Sequence, residues 1–102
     1  MFSKLRSLIF KVDPEKAHTL AIKSLKFNLI PNVFDENKND PIFQTKIFDK
    51  DLDNPIGMAA GFDKNAEVYN SLFKLGFGFV EVGTITPLKQ YGNPKPRVFR
   101  LV

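Results

Sequence analysis

The stretch Asn54-Pro55-Ile56-Gly57-Met58-Ala59-Ala60-Gly61-Phe62-Asp63-Lys64-Asn65 decides the fold. Its first half is an apolar run entered through a proline, and its second half breaks into small and polar residues. That is the profile of a buried strand running into a turn. Residues 66–75 then carry Val68, Leu72, Phe73 and Leu75 as apolar positions of a helix, with Gly76 placed to end it. Phe77-Gly78-Phe79-Val80-Glu81-Val82 reads as a second strand, closed by Gly83-Thr84. Strand, helix and strand form one β–α–β unit over residues 55–84, which predicts parallel strands joined by a right-handed crossover. The fold class is α/β.

Ligands in α/β folds gather at the carboxyl ends of the strands. Those ends are Ala59 to Asn65 and Val82-Gly83-Thr84. Small residues there let a flat or phosphorylated ligand approach the backbone, Lys64 adds a positive charge, and Thr84 adds a hydroxyl. The same residues also suit an unliganded tight turn with a surface lysine. The glycine spacing does not fit the G-x-G-x-x-G dinucleotide fingerprint.

Upstream, Phe43-Gln44-Thr45-Lys46-Ile47 and the stretch around Leu52 predict a two-stranded hairpin turning through Asp49-Lys50-Asp51. Residues 31–41, with turn formers between two prolines, predict a linker. Residues 1–30 are a different kind of chain. They carry six basic and two acidic side chains, whereas 31–102 carry nine of each, so the net charge of +4 belongs to this arm. At about 100° per residue, Phe2, Leu5, Leu8, Ile9 and Val12 fall on one side of a helix over 2–12, opposite Lys4, Ser7 and Lys11. A short basic amphipathic helix of this kind suits a lipid surface or a protein core. A second helix is predicted from Pro14 to about Lys26, capped by Asp13, with Glu15 in its first turn. Lys16 stands where a capping box needs an acidic residue or glutamine. His18 shares an apolar line with Ala21, Ile22 and Leu25, so it is either a satisfied core histidine or a ligand-facing one. Because Asp13-Pro14-Glu15 opens the second helix at once, without a small-residue cleavage site, a cleavable targeting peptide is not expected.

The composition excludes several function classes. With no cysteine there is no disulfide framework, thiolate chemistry or Cys-ligated metal, and with one histidine no metal site is expected. No run approaches the roughly 20 apolar residues of a membrane span. Eleven phenylalanines argue against disorder. Nucleic-acid binding is not expected, since the arm's cations are not interleaved with stacking aromatics.

Three motifs in order complete the reading. Residues 54–65 resemble the first-strand signature of the dihydroorotate dehydrogenases, and Glu81-Val82-Gly83-Thr84-Ile85-Thr86-Pro87 resembles the second. Gln90-Tyr91-Gly92-Asn93-Pro94-Lys95-Pro96-Arg97-Val98-Phe99-Arg100-Leu101 is similar to the segment that follows. Asp13-Pro14-Glu15-Lys16-Ala17-His18 resembles the arm of the quinone-dependent, membrane-associated class 2 members, which soluble class 1 members lack.

The resemblance implies the opening β–α–β of a (β/α)8 TIM barrel behind a two-helix arm. The barrel is incomplete at 102 residues, since it needs ~250. Residues 1–30 would be the membrane and quinone-tunnel arm, 31–41 the linker, and 42–102 the start of the FMN-binding barrel. The implied reaction oxidises (S)-dihydroorotate to orotate through FMN, with ubiquinone or menaquinone as final acceptor, in UMP biosynthesis. Ala60, Gly61, Phe62, Asp63, Lys64 and Thr84 would bind FMN, Lys64 would also contact orotate, and His18 and Arg100 would line the quinone tunnel. The catalytic base, a serine in class 2, is expected beyond Val102, so these 102 residues alone are expected to be inactive. The implied location is peripheral, on the cytoplasmic face of a bacterial inner membrane. The alternative is a free-standing basic amphipathic module that only associates with membranes.

Overall fold

The computed structural model describes residues 2–29 and 40–101. The predicted linker therefore lies almost wholly outside the described residues, with only Asp40 and Pro41 inside them.

Helix α1 spans Phe2–Ile9 and helix α2 spans Pro14–Lys26. The start of α2 is set locally. Lys16 N–H donates to Asp13 Oδ2 at 3.0 Å, and Pro14 occupies the first turn, where its missing N–H costs nothing. Helix α1 ends three residues short of the predicted Val12, because α2 needs Asp13 in extended backbone, with ψ 133°, as its cap. Leu5, Leu8 and Ile9 are exposed on α1. No helix among the described residues is long and apolar enough to cross a membrane.

A 3-10 turn at Pro41–Phe43, capped by Asp40, leads into the antiparallel hairpin of β1 (Thr45–Ile47) and β2 (Lys50–Leu52). The hairpin was expected; its turn falls elsewhere. Ile47 pairs with Lys50, which leaves a two-residue loop of Phe48 and Asp49 with φ values of 49° and 60°. Two consecutive positive φ values match the twist of the flanking strands, so a two-residue loop replaces the predicted turn at 49–51.

Next come β3 (Gly57–Met58), α3 (Tyr69–Lys74) and β4 (Phe79–Val80). The two strands are parallel, as expected, with Gly57 opposite Phe79 and Met58 opposite Val80. Gly78 N–H to Ile56 O (2.8 Å) and Glu81 N–H to Met58 O (2.9 Å) extend the ladder. Helix α3 is shorter than the predicted 66–75. Ala66 has φ 54°, and Asp63 holds the next two N–H groups outside the helix. At its other end Gly76 adopts φ 105°, a conformation that favours glycine. Its carbonyl accepts from Asn54 Nδ2 at 2.7 Å, while Asn54 Oδ1 accepts from Ile56 N–H at 3.0 Å. One asparagine thus ties the exit of α3 to the entry of β3.

The core lies between α2 and α3, where Leu25, Val68 and Leu72 are buried, flanked by half-buried Ile22, Met58, Phe62 and Val80. Ser71 Oγ donates to Leu25 O at 2.9 Å, and Lys26 pairs with Glu67 at 3.3 Å, so the two helices are also joined by polar contacts. Phe48, Ile85 and Leu101 are more than nine-tenths exposed. Among the described residues the strands form two separate two-stranded sheets and no closed barrel.

Candidate functional site

The β3–β4 pair sends two chain ends to the same edge. After β3 the chain turns at Ala60 to Lys64; after β4 it continues through Glu81, Val82 and Gly83 to Thr84. Gly83 is where they meet. Its N–H donates to Asp63 O at 3.3 Å, and a Cβ at 83 would overlap the Lys64 carbonyl. Only glycine admits this approach.

Asp63 anchors the turn from inside. It is 1% exposed, and its carboxylate accepts from Glu67 N–H (2.8 Å) and Val68 N–H (2.9 Å) ahead of α3. A buried carboxylate that receives two backbone donors is satisfied, and it fixes the backbone on both sides of itself. Its side chain therefore supports the turn from beneath, while Gly61 and Lys64 are exposed beside it. A Cβ on Gly61 would meet open space, so the turn presents bare backbone outward at that point.

From the other side, α2 contributes His18. Its Nε2 lies 2.6 Å from Phe62 O, and its ring stands edge-on to the Phe62 ring at 5.4 Å and 90°. A carbonyl only accepts, so Nε2 carries the proton and donates it, leaving Nδ1 as the ring's remaining polar atom. His18 is thus half-buried with one nitrogen satisfied by backbone, and it also walls a cavity.

That cavity, about 470 Å³, lies between α2 and the turn, with Glu15, His18, Phe62, Lys64, Arg97 and Val98 in its walls. Gly61 and Asp63 line it too. The structure therefore gathers His18, Gly61, Phe62, Asp63 and Lys64 round one space. Ala60 and Thr84 stand on the strand-end edge outside that lining, and Arg100 lies elsewhere. Arg100 donates to Phe10 O (3.1 Å) and Val12 O (2.7 Å), and its guanidinium lies 4.8 Å from the Phe10 ring centre. Arg6 approaches the same ring at 5.1 Å. Arg100 thereby fastens the turn that follows α1 and leads into α2.

The residues that sequence reasoning passed over are Glu15 and Lys95. The sequence places Glu15 in the first turn of α2 and Lys95 and Arg97 within one motif, without a contact between them. Glu15 Oε1 lies 3.0 Å from Arg97 Nη2 and 3.4 Å from Lys95 Nζ, so the first turn of α2 is ion-paired to the segment before Arg100. Arg97 also donates to Tyr91 O (3.0 Å) and Asn93 O (3.4 Å). The opposite charges of the two motifs were the available signal.

Comparison with known proteins places this geometry. The sequence model of the dihydroorotate dehydrogenase family matches residues 42–102. The chain belongs to the dihydroorotate dehydrogenase family. It is 51% identical over 100 residues to the dihydroorotate dehydrogenase (quinone) of Buchnera aphidicola, covering 95% of this chain and 29% of that one. It is 50% identical over 103 residues to the dihydroorotate dehydrogenase (quinone) of Agrobacterium fabrum, covering 100% of this chain and 28% of that one. The chain thus spans under a third of the length of these relatives and corresponds to their N-terminal part. Among solved structures, the dihydroorotate dehydrogenase of Eimeria tenella in complex with ferulenol superposes with a TM-score of 0.77 at 49% identity, covering 86% of this chain and 23% of that one. The ligand-free form from the same organism gives 0.78. The α/β architecture of this chain, with β3 and β4 as a parallel pair, is therefore that of the N-terminal part of the dihydroorotate dehydrogenases.

Proposed function

We propose that this chain forms the arm and flavin-facing opening of a quinone-dependent dihydroorotate dehydrogenase. The enzyme oxidises (S)-dihydroorotate to orotate, with FMN as the redox cofactor and ubiquinone or menaquinone as final acceptor, in pyrimidine synthesis. The observation that carries this reading is the shared cavity, in which His18 of the arm and Lys64 of the strand-end turn wall one space.

The residues present fit a flavin. Open space over Gly61, the half-buried Ala60 beside it, and the exposed Thr84 hydroxyl make a flat edge without bulky side chains. These residues and Phe62 would hold FMN, while Asp63 would keep the turn in shape from beneath. FMN supplies a reversible two-electron acceptor. Lys64 is exposed and makes no ion pair with another described residue, so its ammonium is available to bind a substrate carboxylate and stabilise developing negative charge. On the arm side, Arg100 would offer a fixed positive donor to a quinone oxygen, and His18 would offer Nδ1. The hydroxyls of Ser7, Ser24 and Ser71 donate to the helix carbonyls Lys4 O, Leu20 O and Leu25 O, and none of the three lines the shared cavity. The base would come from chain beyond Val102, and the 102 residues alone would not turn over.

The exposed stripe of α1, with Lys4, Arg6 and Lys11 around it, supports a peripheral position on the cytoplasmic face of a bacterial inner membrane. The test uses the full-length protein. Anaerobic dihydroorotate should bleach its flavin, and a soluble ubiquinone analogue should restore the yellow form. A flavin-free protein that only sediments with vesicles would instead support a membrane-associating module.

A further inference from the structure

The strand-end turn that carries Lys64 is held from three directions. Within itself, Phe62 N–H donates to Ala59 O at 3.2 Å. From beneath, Asp63 fastens it to Glu67, Val68 and Gly83. From the arm, the described hydrogen bonds include one, from His18 Nε2 to Phe62 O at 2.6 Å. The polar contacts α2 makes near its other end, Ser71 with Leu25 and Lys26 with Glu67, go to α3 or the segment just before it. The Phe62 carbonyl belongs to the peptide that leads into Asp63, and Lys64 follows directly. A shift of α2 at His18 therefore reaches the Lys64 backbone through two residues whose other contacts are fixed.

Resting on the functional reading above, we propose that His18 is a positioning residue for Lys64. By donating Nε2–H to the Phe62 carbonyl, it sets the turn that faces flavin and dihydroorotate, in addition to any contact its Nδ1 makes with a quinone. The arm would thus tune the dihydroorotate half-reaction as well as the quinone half-reaction. A residue that only lined the quinone tunnel would leave flavin reduction untouched.

The pair His18→Gln and His18→Asn separates the two roles. The glutamine amide nitrogen lies as many bonds from Cβ as Nε2 does and can still reach the Phe62 carbonyl. The asparagine nitrogen stops at the Nδ1 position. With full-length, FMN-loaded protein, the rate of anaerobic flavin reduction by dihydroorotate is measured by stopped flow, with no quinone present. Small displacements of a reacting constellation cost one to two orders of magnitude. His18→Asn should therefore slow reduction about tenfold, and His18→Gln should restore it to within about threefold of the parent. Equal reduction rates in parent, Gln and Asn forms would overturn this inference alone. A parent protein whose flavin dihydroorotate does not bleach would overturn the functional reading and this inference with it.

Discussion

Glu15, in the first turn of α2, and Arg97, 82 residues later, meet at 3.0 Å, and this ion pair joins the helical arm to the last described segment. The pair is partly shielded: the Glu15 side chain is 18% exposed and that of Arg97 35%. Arg97 is already oriented by the Tyr91 and Asn93 carbonyls, so little side-chain entropy remains to be lost when it meets the carboxylate. The contact is thus a built latch beside the cavity, and its value can be measured.

A double-mutant cycle on Glu15→Ala and Arg97→Ala in the full-length protein should give a coupling energy of about 1 kcal/mol, the upper end for a pair with this much solvent. Arg97→Ala alone should cost more than Glu15→Ala alone, because it also frees two carbonyls. Urea denaturation of the four proteins reads both quantities. Additive single effects would show that the latch contributes nothing to stability.

Asp63 makes the sharpest stability prediction. Its two carboxylate oxygens each accept a backbone N–H in a site 1% exposed. In Asp63→Asn one of those donors must face an amide NH2, which cannot accept. The unmet donor should cost about 2 kcal/mol. Thermal melts should show the loss, and FMN content should fall in parallel because the turn above depends on it.

Elements announced by a capping residue or by an apolar run were legible in the sequence. Asp13-Pro14 starts α2 through a contact three residues away, and apolar runs at 56–58 and 77–80 find each other as a parallel pair. Boundaries and roles set by side-chain contacts to backbone that no pattern announces were not. The start of α3 moves to Tyr69 because the Asp63 carboxylate holds the N–H groups of Glu67 and Val68, and the composition of 66–68 gives no warning of it. Likewise the resemblance marked His18, Lys64 and Arg100. It did not reveal that the His18 proton is committed to Phe62, 44 residues away, or that Arg100 fastens the turn that follows α1. Periodicity reports which face a side chain is on and is silent about which carbonyl waits there.

The α1 stripe yields a vesicle prediction. Leu5 is 46% exposed and Leu8 63% exposed. If they insert into the acyl boundary, replacing both by Glu removes roughly 3 kcal/mol or more of apolar burial and adds repulsion from anionic headgroups. Sedimentation of the full-length protein with anionic vesicles should then fall by more than tenfold, while dihydroorotate-driven bleaching of the flavin stays at the parent rate. Undiminished sedimentation would place the lipid contact elsewhere.

Gly61 and Gly83 lie on the same edge and should respond oppositely to one added methyl. At Gly83 a Cβ would overlap the Lys64 carbonyl, which is backbone and cannot swing aside, so the two strand ends must separate. Gly83→Ala should lose roughly 2–3 kcal/mol of stability, and flavin with it. At Gly61 the methyl meets no protein atom within 4 Å. Gly61→Ala should therefore be neutral or up to about 1 kcal/mol more stable, through a stiffer unfolded chain. The space it enters is the one assigned to FMN, so FMN affinity should drop by roughly tenfold, equivalent to about 1.4 kcal/mol. Melting temperature and flavin titration on the two variants separate the effects. A Gly61→Ala protein that keeps parental FMN affinity would move the flavin away from this turn.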